Sequence, residues 1–310
     1  MNIAISCIIV NYNTAQFTLD CVASIFEMHQ NTEAIEVIVI DNSSEKEDYL
    51  HLESTLKQKN FPNTKLIRSK INTGFSGGNM LGVINSSPAK YYAFINNDTL
   101  QVDENCLWKL KDFMKNYPDA GICSPQMLDE NKNFRVTIDH FSSLQREILR
   151  RPLLEKLFPK IYLNRKKTYK VPTKVHYVQG SFIFVDAKEF NNLGGFDTNI
   201  FLYYEESDLC LRLLKRQKKY TYLVPNLNYI HFKSASTKKN IDIKKEQKLS
   251  LLYHTRKHYG FLQHKILLIY LISRYFFTSF FKPKYWPLLK LLIIGAPLHK
   301  SLKQQQKINF

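Results

Sequence analysis

Two short runs near the start, "IAISCIIVNYN" and "IEVIVIDNSS", are almost unbroken β-branched and apolar residues that stop abruptly in polar ones. A strand with one wet face alternates, so runs this continuous require burial on both faces, as in a parallel sheet. Between them "TAQFTLDCVASIFEMHQ" carries its apolar residues at helical spacing. The three pieces form a β-α-β unit. A second crossover, Glu47 to Asn60, leads to "TKLIRSKINTGFSGGNMLGVINSS", a strand, a glycine loop and a helix, and "YYAFINNDT" adds another buried strand. The expected fold class is therefore α/β, an open, mostly parallel sheet flanked by helices.

In such sheets ligands sit outside the carboxyl ends of the strands. That directs attention to Asn11 to Thr14, Asp41 to Ser44, Asn72 to Asn79 and Asn96 to Thr99. Further on, "VHYVQGSFIFVDAKEF" reads as a strand and turn, "SDLCLRLLKRQ" as a helix, and "YTYLVPNLNYIHF" as a strand. The apolar stretch "HKILLIYLISRYFFTSFF" follows near the end.

Charge divides the chain. The net charge is +17, and residues 209–310 hold 21 Lys and Arg against two acids, so the whole excess lies in the C-terminal third. A basic region of this kind suits an anionic surface, either nucleic acid or the cytoplasmic leaflet of a membrane. The run Ile266 to Phe281 is interrupted by Arg274 and is short of the ~20 residues a spanning helix needs. Leu, Ile, Phe, Tyr and Trp among Lys and Arg fit helices lying in the membrane interface, and packing on the rest of the chain is the plainer alternative. "REILRRPLLEKLFPKIYLNRKK" has the same character. Five cysteines without CxxC spacing argue against a disulfide framework or a structural zinc site. Together with an N-terminus lacking a basic leader, they point to the cytosol or its membrane face.

Several polar residues stand where chemistry is possible. Asp98, at the end of "FINND", is placed to hold a divalent cation bridging two phosphates, although an Asx turn is the commoner fate of such a triplet. Asp41 could cap a helix or accept hydrogen bonds from a base or ribose. "NTGFSGGN" lacks the GxGxxG spacing and the lysine of a P-loop, which leaves an ordinary turn or a close backbone approach to a nucleotide. His231 could be a satisfied core histidine. In "GGFDTNIFLYYEESDLCLRL", Glu205, Glu206 and Asp208 follow directly on an apolar run. They can serve a helix dipole or act as a base.

Taken in order, "CIIVNYN", "VIDNSS", "NTGFSGGN", "FINNDT" and the long acidic block resemble the inverting family 2 glycosyltransferases of the GT-A fold. The similarity lies in the rhamnosyltransferase-like branch that builds bacterial surface polysaccharides, and it covers Ile3 to Ser236. The resemblance implies that Asn11, Tyr12, Asn13 and Asp41 hold the base and ribose of a nucleotide-sugar donor. Asn72, Gly74 and Asn79 would lie along a loop closing over the nucleotide. The metal motif falls on Asn96, Asn97 and Asp98, with Asp98 and His231 as ligands of Mn²⁺ or Mg²⁺. The "FKSAS" after His231 departs from the small, glycine-rich run common in the family. Glu206 matches the general base, with Glu205 and Asp208 as neighbours that could take the role instead.

The implied organisation is a glycosyltransferase domain over 1–240, its nucleotide half at 1–100 and its metal and acceptor half at 101–240. A basic, amphipathic, membrane-associating helical appendage would occupy 241–310. The implied activity moves a sugar of the dTDP-rhamnose or UDP-hexose type to a lipid-linked or growing polysaccharide at the cytoplasmic face of the inner membrane. A nucleotide-sugar-forming nucleotidyltransferase would carry a glycine-rich, Arg/Lys-bearing signature after the first strand, which "VNYNTAQF" lacks. A nucleic-acid-binding protein would interleave aromatic and basic residues, whereas here the aromatics cluster with Leu and Ile. No nucleic-acid partner is expected.

Overall fold

A computed structural model describes residues 3–232 and 240–308 of the chain; Lys233 to Ser236 of the "FKSAS" segment lie outside them. The alternation expected from the first hundred residues is present. It runs β1 (Ile5–Asn11), α1 (Ala15–Met28), β2 (Ile35–Asp41), α2 (Lys46–Lys59), β3 (Thr64–Arg68), α3 (Gly74–Asn85) and β4 (Tyr91–Asn96). These four strands are parallel, in the order β3-β2-β1-β4. Their continuous apolar character has the anticipated cause. In β1, Ile5, Cys7 and Ile9 enter the core on one face while Ile8 enters the core on the other, and all four are fully buried.

Beyond β4 the sheet becomes mixed. The chain continues through β5 (Thr99–Gln101), α4 (Cys106–Asn116), β6 (Ala120–Leu128), β7 (Ile138–Asp139), α5 (Leu144–Leu149) and α6 (Arg151–Leu157). It then forms β8 (Thr173–Val175), β9 (Tyr177–Val178), β10 (Phe182–Asp186), α7 (Ala187–Asn192), α8 (Glu205–Gln217) and β11 (Tyr220–His231). Strand β10 inserts antiparallel between β4 and β6, and β11 runs parallel to β6 and antiparallel to β5 and β8. The nine-stranded path is β3-β2-β1-β4-β10-β6-β11-β5, with β8 on the side of β11.

The glycines of "NTGFSGGN" do something other than expected. Instead of a loop closing over a ligand, Gly74 opens α3, and Gly77, Gly78 and Asn79 lie within that helix. The reason is steric. A Cβ on Gly78 would stand 3.0 Å from Val10, and one on Gly82 2.3 Å from Ile8. Absent side chains thus let α3 lie directly on β1. Gly74, at φ 71°, also abuts the Phe201 carbonyl, where a Cβ would come within 2.2 Å.

The C-terminal third is helical: α9 (Ile241–Phe281), broken at Gly260 with φ 84° and ψ −177°, and α10 (Trp286–Ile293). Leu249, Leu252, Leu267, Leu271, Leu288 and Leu292 form a third core, and Tyr204 joins it from just before α8. The first half of this C-terminal segment packs beside the acidic block. Among the described residues, no helix is long and apolar enough to cross a membrane.

The α3 contact gives a direct test. Gly82→Val forces a branched side chain into Ile8 and should destabilise the fold by about 2 kcal/mol, in the range for overpacked cores, seen as a lower urea midpoint. An unchanged midpoint would contradict this packing.

Candidate functional site

Register brings the polar strand ends together. Asn11 pairs with Asp41, Asp41 with Arg68, and Val10 with Asn96, so the carboxyl ends of four parallel strands form one row. Adjacent strands stand about 4.8 Å apart, which gathers these residues within the span of a nucleotide.

Many side chains in this row are committed to bracing the loops. The Asn11 amide donates to Asp41 (3.1 Å), Ser44 (3.1 Å) and Asp48 (2.9 Å). Asn13, in the left-handed region at φ 55°, accepts from the Glu45 N–H (2.7 Å), and its own N–H donates to Ser44 Oγ (2.9 Å). Asp41 is fully buried. Burial raises its carboxyl above the ordinary range, against hydrogen bonds from Ser44 and Asn11 and the Arg68 guanidinium 3.5 Å away. Tyr12 is exposed on the rim.

Three bracing residues escaped the sequence reading. Asp48 accepts from the Ala15 N–H (2.9 Å), capping α1 from the neighbouring helix where Thr14 makes no cap bond of its own. Asn42 accepts from the N–H and hydroxyl of Thr73 and donates to Asn72 (3.0 Å) and to the Gly74 carbonyl (3.1 Å). Arg68 supplies the cation beside Asp41. Asn42 was visible as the next polar residue of "VIDNSS"; nothing local marks Asp48, which reads as an ordinary dipole-favoured acid in a first turn. Asn72 in turn accepts from the Gly74 N–H (2.8 Å). Asn79 is buried and donates back to Phe75 in its own helix (2.9 Å).

On the far side of β1, Asn97 donates to the hydroxyls of Thr14 (2.7 Å) and Thr18 (2.9 Å), tying the turn after β4 to the first loop. Strand β11 ends opposite β5, with His231 paired to Thr99. His231 Nε2 therefore reaches Asp98 Oδ1 at 3.0 Å. His231 Nδ1 is buried without a partner among the described residues. Among the described residues no three His, Cys, Asp or Glu side chains gather as a metal cage. One carboxylate and one imidazole do suit a cation whose other positions are filled by diphosphate oxygens and water.

The three acids of α8 have different surroundings. Asp208 is fully buried, bonded to Arg212 (2.7 Å), Lys257 (2.6 Å) and His258 (2.7 Å). Burial opposes its charge, but the His258 hydrogen bond and the Arg212 and Lys257 charges hold it well below the usual carboxylate range. It is thus engaged as an ion-pair centre. Glu205 is buried with Oε2 unpartnered, and burial followed by the Glu206 charge pushes it well above that range. Glu206 is half-buried and accepts from the Gly180 N–H at 2.8 Å. Burial and the Asp139 charge raise it, against the Gly180 hydrogen bond and Arg146.

Gly180 links this cluster to the turn at Asn96 to Asp98, since the next residue, Ser181, accepts from the Asn96 N–H (3.0 Å). A Cβ on Gly180 would stand 2.8 Å from Glu206 Oε1. Only glycine leaves that carboxylate where it is.

The opposite shifts predict opposite pH effects on stability. A depressed folded pKa stabilises above the unfolded value, near ~4, and this is lost as pH falls; a raised one destabilises once pH passes the unfolded value. Asp208→Asn should therefore lower the melting temperature at pH 7, by the equivalent of about 3 kcal/mol for a broken buried pair, with the gap from wild type narrowing below pH ~4. Glu205→Gln should raise the melting temperature at pH 8 and leave it unchanged near pH ~4. Melting curves of both variants across pH check this, and a stabilised Asp208→Asn at pH 7 would contradict it.

The likeness to known proteins follows the same geometry. The crystal structure of GalNAc-T7 with UDP, GalNAc and Mn²⁺ superposes with a TM-score of 0.63 at 14% identity, over 94% of this chain and 56% of that one. The crystal structure of S. aureus TarS 1-349 does so with a TM-score of 0.54 at 12% identity, over 82% of this chain and 66% of that one. At these identities the likeness is one of fold, the GT-A fold. Rhamnosyltransferase WbbL of Escherichia coli strain K12 is 30% identical over 150 residues, 46% of this chain. That match spans about half (52%) of the length of WbbL. The model of glycosyl transferase family 2 matches residues 6–190, from the first strand through the Asn96–Asp98 turn to β10 and α7. The chain belongs to glycosyl transferase family 2.

Proposed function

We propose that the chain transfers a sugar from a nucleotide-diphospho-sugar to a lipid-linked or growing surface polysaccharide, in one displacement that inverts the anomeric carbon. The observation that supports this reading is that the half-buried Glu206 carboxylate is linked to the row of polar strand ends through Gly180, Ser181 and Asn96. The donor's base and ribose would lie over Tyr12 and Asp41, on loops that Asn11, Asn42 and Asp48 keep rigid. Asp98 and His231 would hold Mn²⁺ or Mg²⁺, which when bound supplies positive charge to the diphosphate. The likeness to a rhamnosyltransferase favours a dTDP-rhamnose type of donor; a UDP-hexose is the alternative.

The acceptor hydroxyl is a weak nucleophile and needs a base within hydrogen-bond reach. Glu206 suits that part because partial burial raises its proton affinity toward working pH while it stays half-accessible. The Gly180 N–H holds one oxygen in place. Glu205, deeper and pushed further up, would stay protonated beside it, and Asp208 would remain an anion within its ion pairs.

Two substitutions separate these roles. Glu206→Gln should lower turnover by at least ~10²-fold, the scale of a lost general base, with nucleoside diphosphates still raising the melting temperature. Asp98→Asn should abolish the cation-dependent part of that thermal shift. If no nucleoside diphosphate stabilised the wild-type chain, with or without Mn²⁺ or Mg²⁺, the donor assignment would fall.

The proposed place of action is the cytoplasmic membrane face. Past Gly260, α9 and the segment after it expose Phe261, Leu262, Ile269, Phe277, Phe280 and Phe281 beside Lys265, Arg274, Lys282 and Lys284. On α5 and α6, Ile148, Leu153 and Leu157 are exposed as well. Lys and Arg contribute on the order of 1 kcal/mol each at an anionic leaflet, and salt screens that part. Inserted apolar area contributes about 25 cal/mol per Å² and is not screened. High salt should therefore release part of the bound protein and detergent the rest. Phe277→Ser with Phe281→Ser should weaken binding to phosphatidylserine vesicles at least ~10-fold, given about 1.5 kcal/mol or more for each inserted ring. Unchanged vesicle binding would exclude this face.

A further inference from the structure

The turn that delivers the acids is held in a costly conformation. Tyr203 and Tyr204, immediately before Glu205, both lie in the left-handed region, at φ 71° and 73°. Consecutive bulky residues there persist only where surrounding contacts fix them. In this protein the contacts come from the first half of α9. Ser250 Oγ donates to the Leu202 carbonyl (2.8 Å) and Tyr253 OH to Asp197 (2.8 Å). His254 Nε2 lies 3.3 Å from Ser207 Oγ, and the ring of Tyr204 is buried in the core formed by α9 and α10. Lys257 bridges Asp197 (2.7 Å) and Asp208 (2.6 Å), and His258 Nε2 meets Asp208 at 2.7 Å. Positions 250, 253, 254, 257 and 258 recur at helical spacing, so one stripe of α9 lies along residues 197–208.

We propose that Lys257 and His258 are positioning residues for the transfer reaction, fixing Asp208 and with it the first turn of α8, so that the Glu206 carboxylate keeps its place against Gly180. The proposal rests on Glu206 serving as the base. Neither residue bonds to Glu205 or Glu206; both act through Asp208, two positions further along the helix.

The charges around the turn give this role a distinct signature. Asp208 is faced by Arg212 from its own helix and by Lys257 and His258, with His254 adjacent, from α9. The glutamates are faced by Tyr203 just before α8, Asp208 and Cys210 on α8, Glu246 on α9, Asp139 on β7, Tyr177 on β9 and Arg146 on α5. Removing the Lys257 ammonium leaves Asp208 less compensated, and a less compensated anion raises the proton affinity of neighbouring carboxylates. Because the base works deprotonated, the acid limb of the pH–rate profile should move to higher pH.

The test uses Lys257→Met, His258→Leu and His258→Gln in the full-length chain, with Glu206→Gln alongside. The first two should lower kcat on the order of 10²-fold, as a misplaced group does, with donor KM within about twofold, as expected when only a transition-state contact is lost. The acid limb should rise in Lys257→Met. His258→Gln, which keeps an N–H at the reach of Nε2, should recover most of the rate. Wild-type kcat in both Lys257→Met and His258→Leu would overturn the proposal, as would equal losses in His258→Leu and His258→Gln with an unmoved acid limb. Where Lys257→Met fails to fold, Lys257→Gln removes the charge at similar length; a lowered kcat at unchanged donor KM supports the proposal and wild-type kcat overturns it. Turnover retained by Glu206→Gln would instead remove the assignment of the base, whatever the α9 variants do.

Discussion

In-register pairing of four parallel strands is the constraint on which the rest depends. Once β3, β2, β1 and β4 pair as they do, Asn11, Asp41, Arg68 and Asn96 must end side by side, and every loop that follows starts from that edge. The pairing itself rests on helices that can approach the sheet closely. Gly78 and Gly82 let α3 meet Val10 and Ile8, while Asp48 secures the start of α1 from α2. A one-residue slip in β1 would exchange its two buried faces and dissolve the row.

Beyond β10, the start of α8 carries a second set of polar groups, the acids Glu205, Glu206 and Asp208. Three acids within four positions of one helix start are forced apart in proton affinity by what touches them: the Arg212 and Lys257 charges and a His258 hydrogen bond for Asp208, deep burial beside Glu206 for Glu205, and a peptide N–H with partial exposure for Glu206. Such separation is how one fold keeps one carboxylate charged and another near its proton-exchange range. Gly180 is the joint between the two halves, touching Glu206 on one side and leading through Ser181 to Asn96 on the other.

The strands were legible because a strand buried on both faces leaves a short, β-branched run of apolar residues, and their polar ends marked the edge. Asp98 and His231 could be paired only through the family resemblance, and they meet through β5 and β11, 133 positions apart in sequence. The glycine segment was read as a loop, whereas the helix already begins at Gly74, because glycine serves close packing of a helix as readily as an open loop and composition does not separate the two. The C-terminal third was read as an appendage because its charge and apolar content are those of an interfacial helix. Its contacts with Asp197, Leu202 and Asp208 are long-range, and each depends on a single side chain in a stripe otherwise ordinary for a helix. Asp48 was invisible for the same reason, being a local acid whose partner lies on another element.

The central claim is that the edge formed by β1, β2 and β4 is a donor site completed by Asp98 and His231. Anomalous diffraction from crystals grown with a nucleoside diphosphate and Mn²⁺ tests it most directly. The account predicts a manganese peak against Asp98 and His231, with the nucleotide lying over Asp41 and Tyr12. A nucleotide bound away from that edge, or a cation held without Asp98, would contradict it.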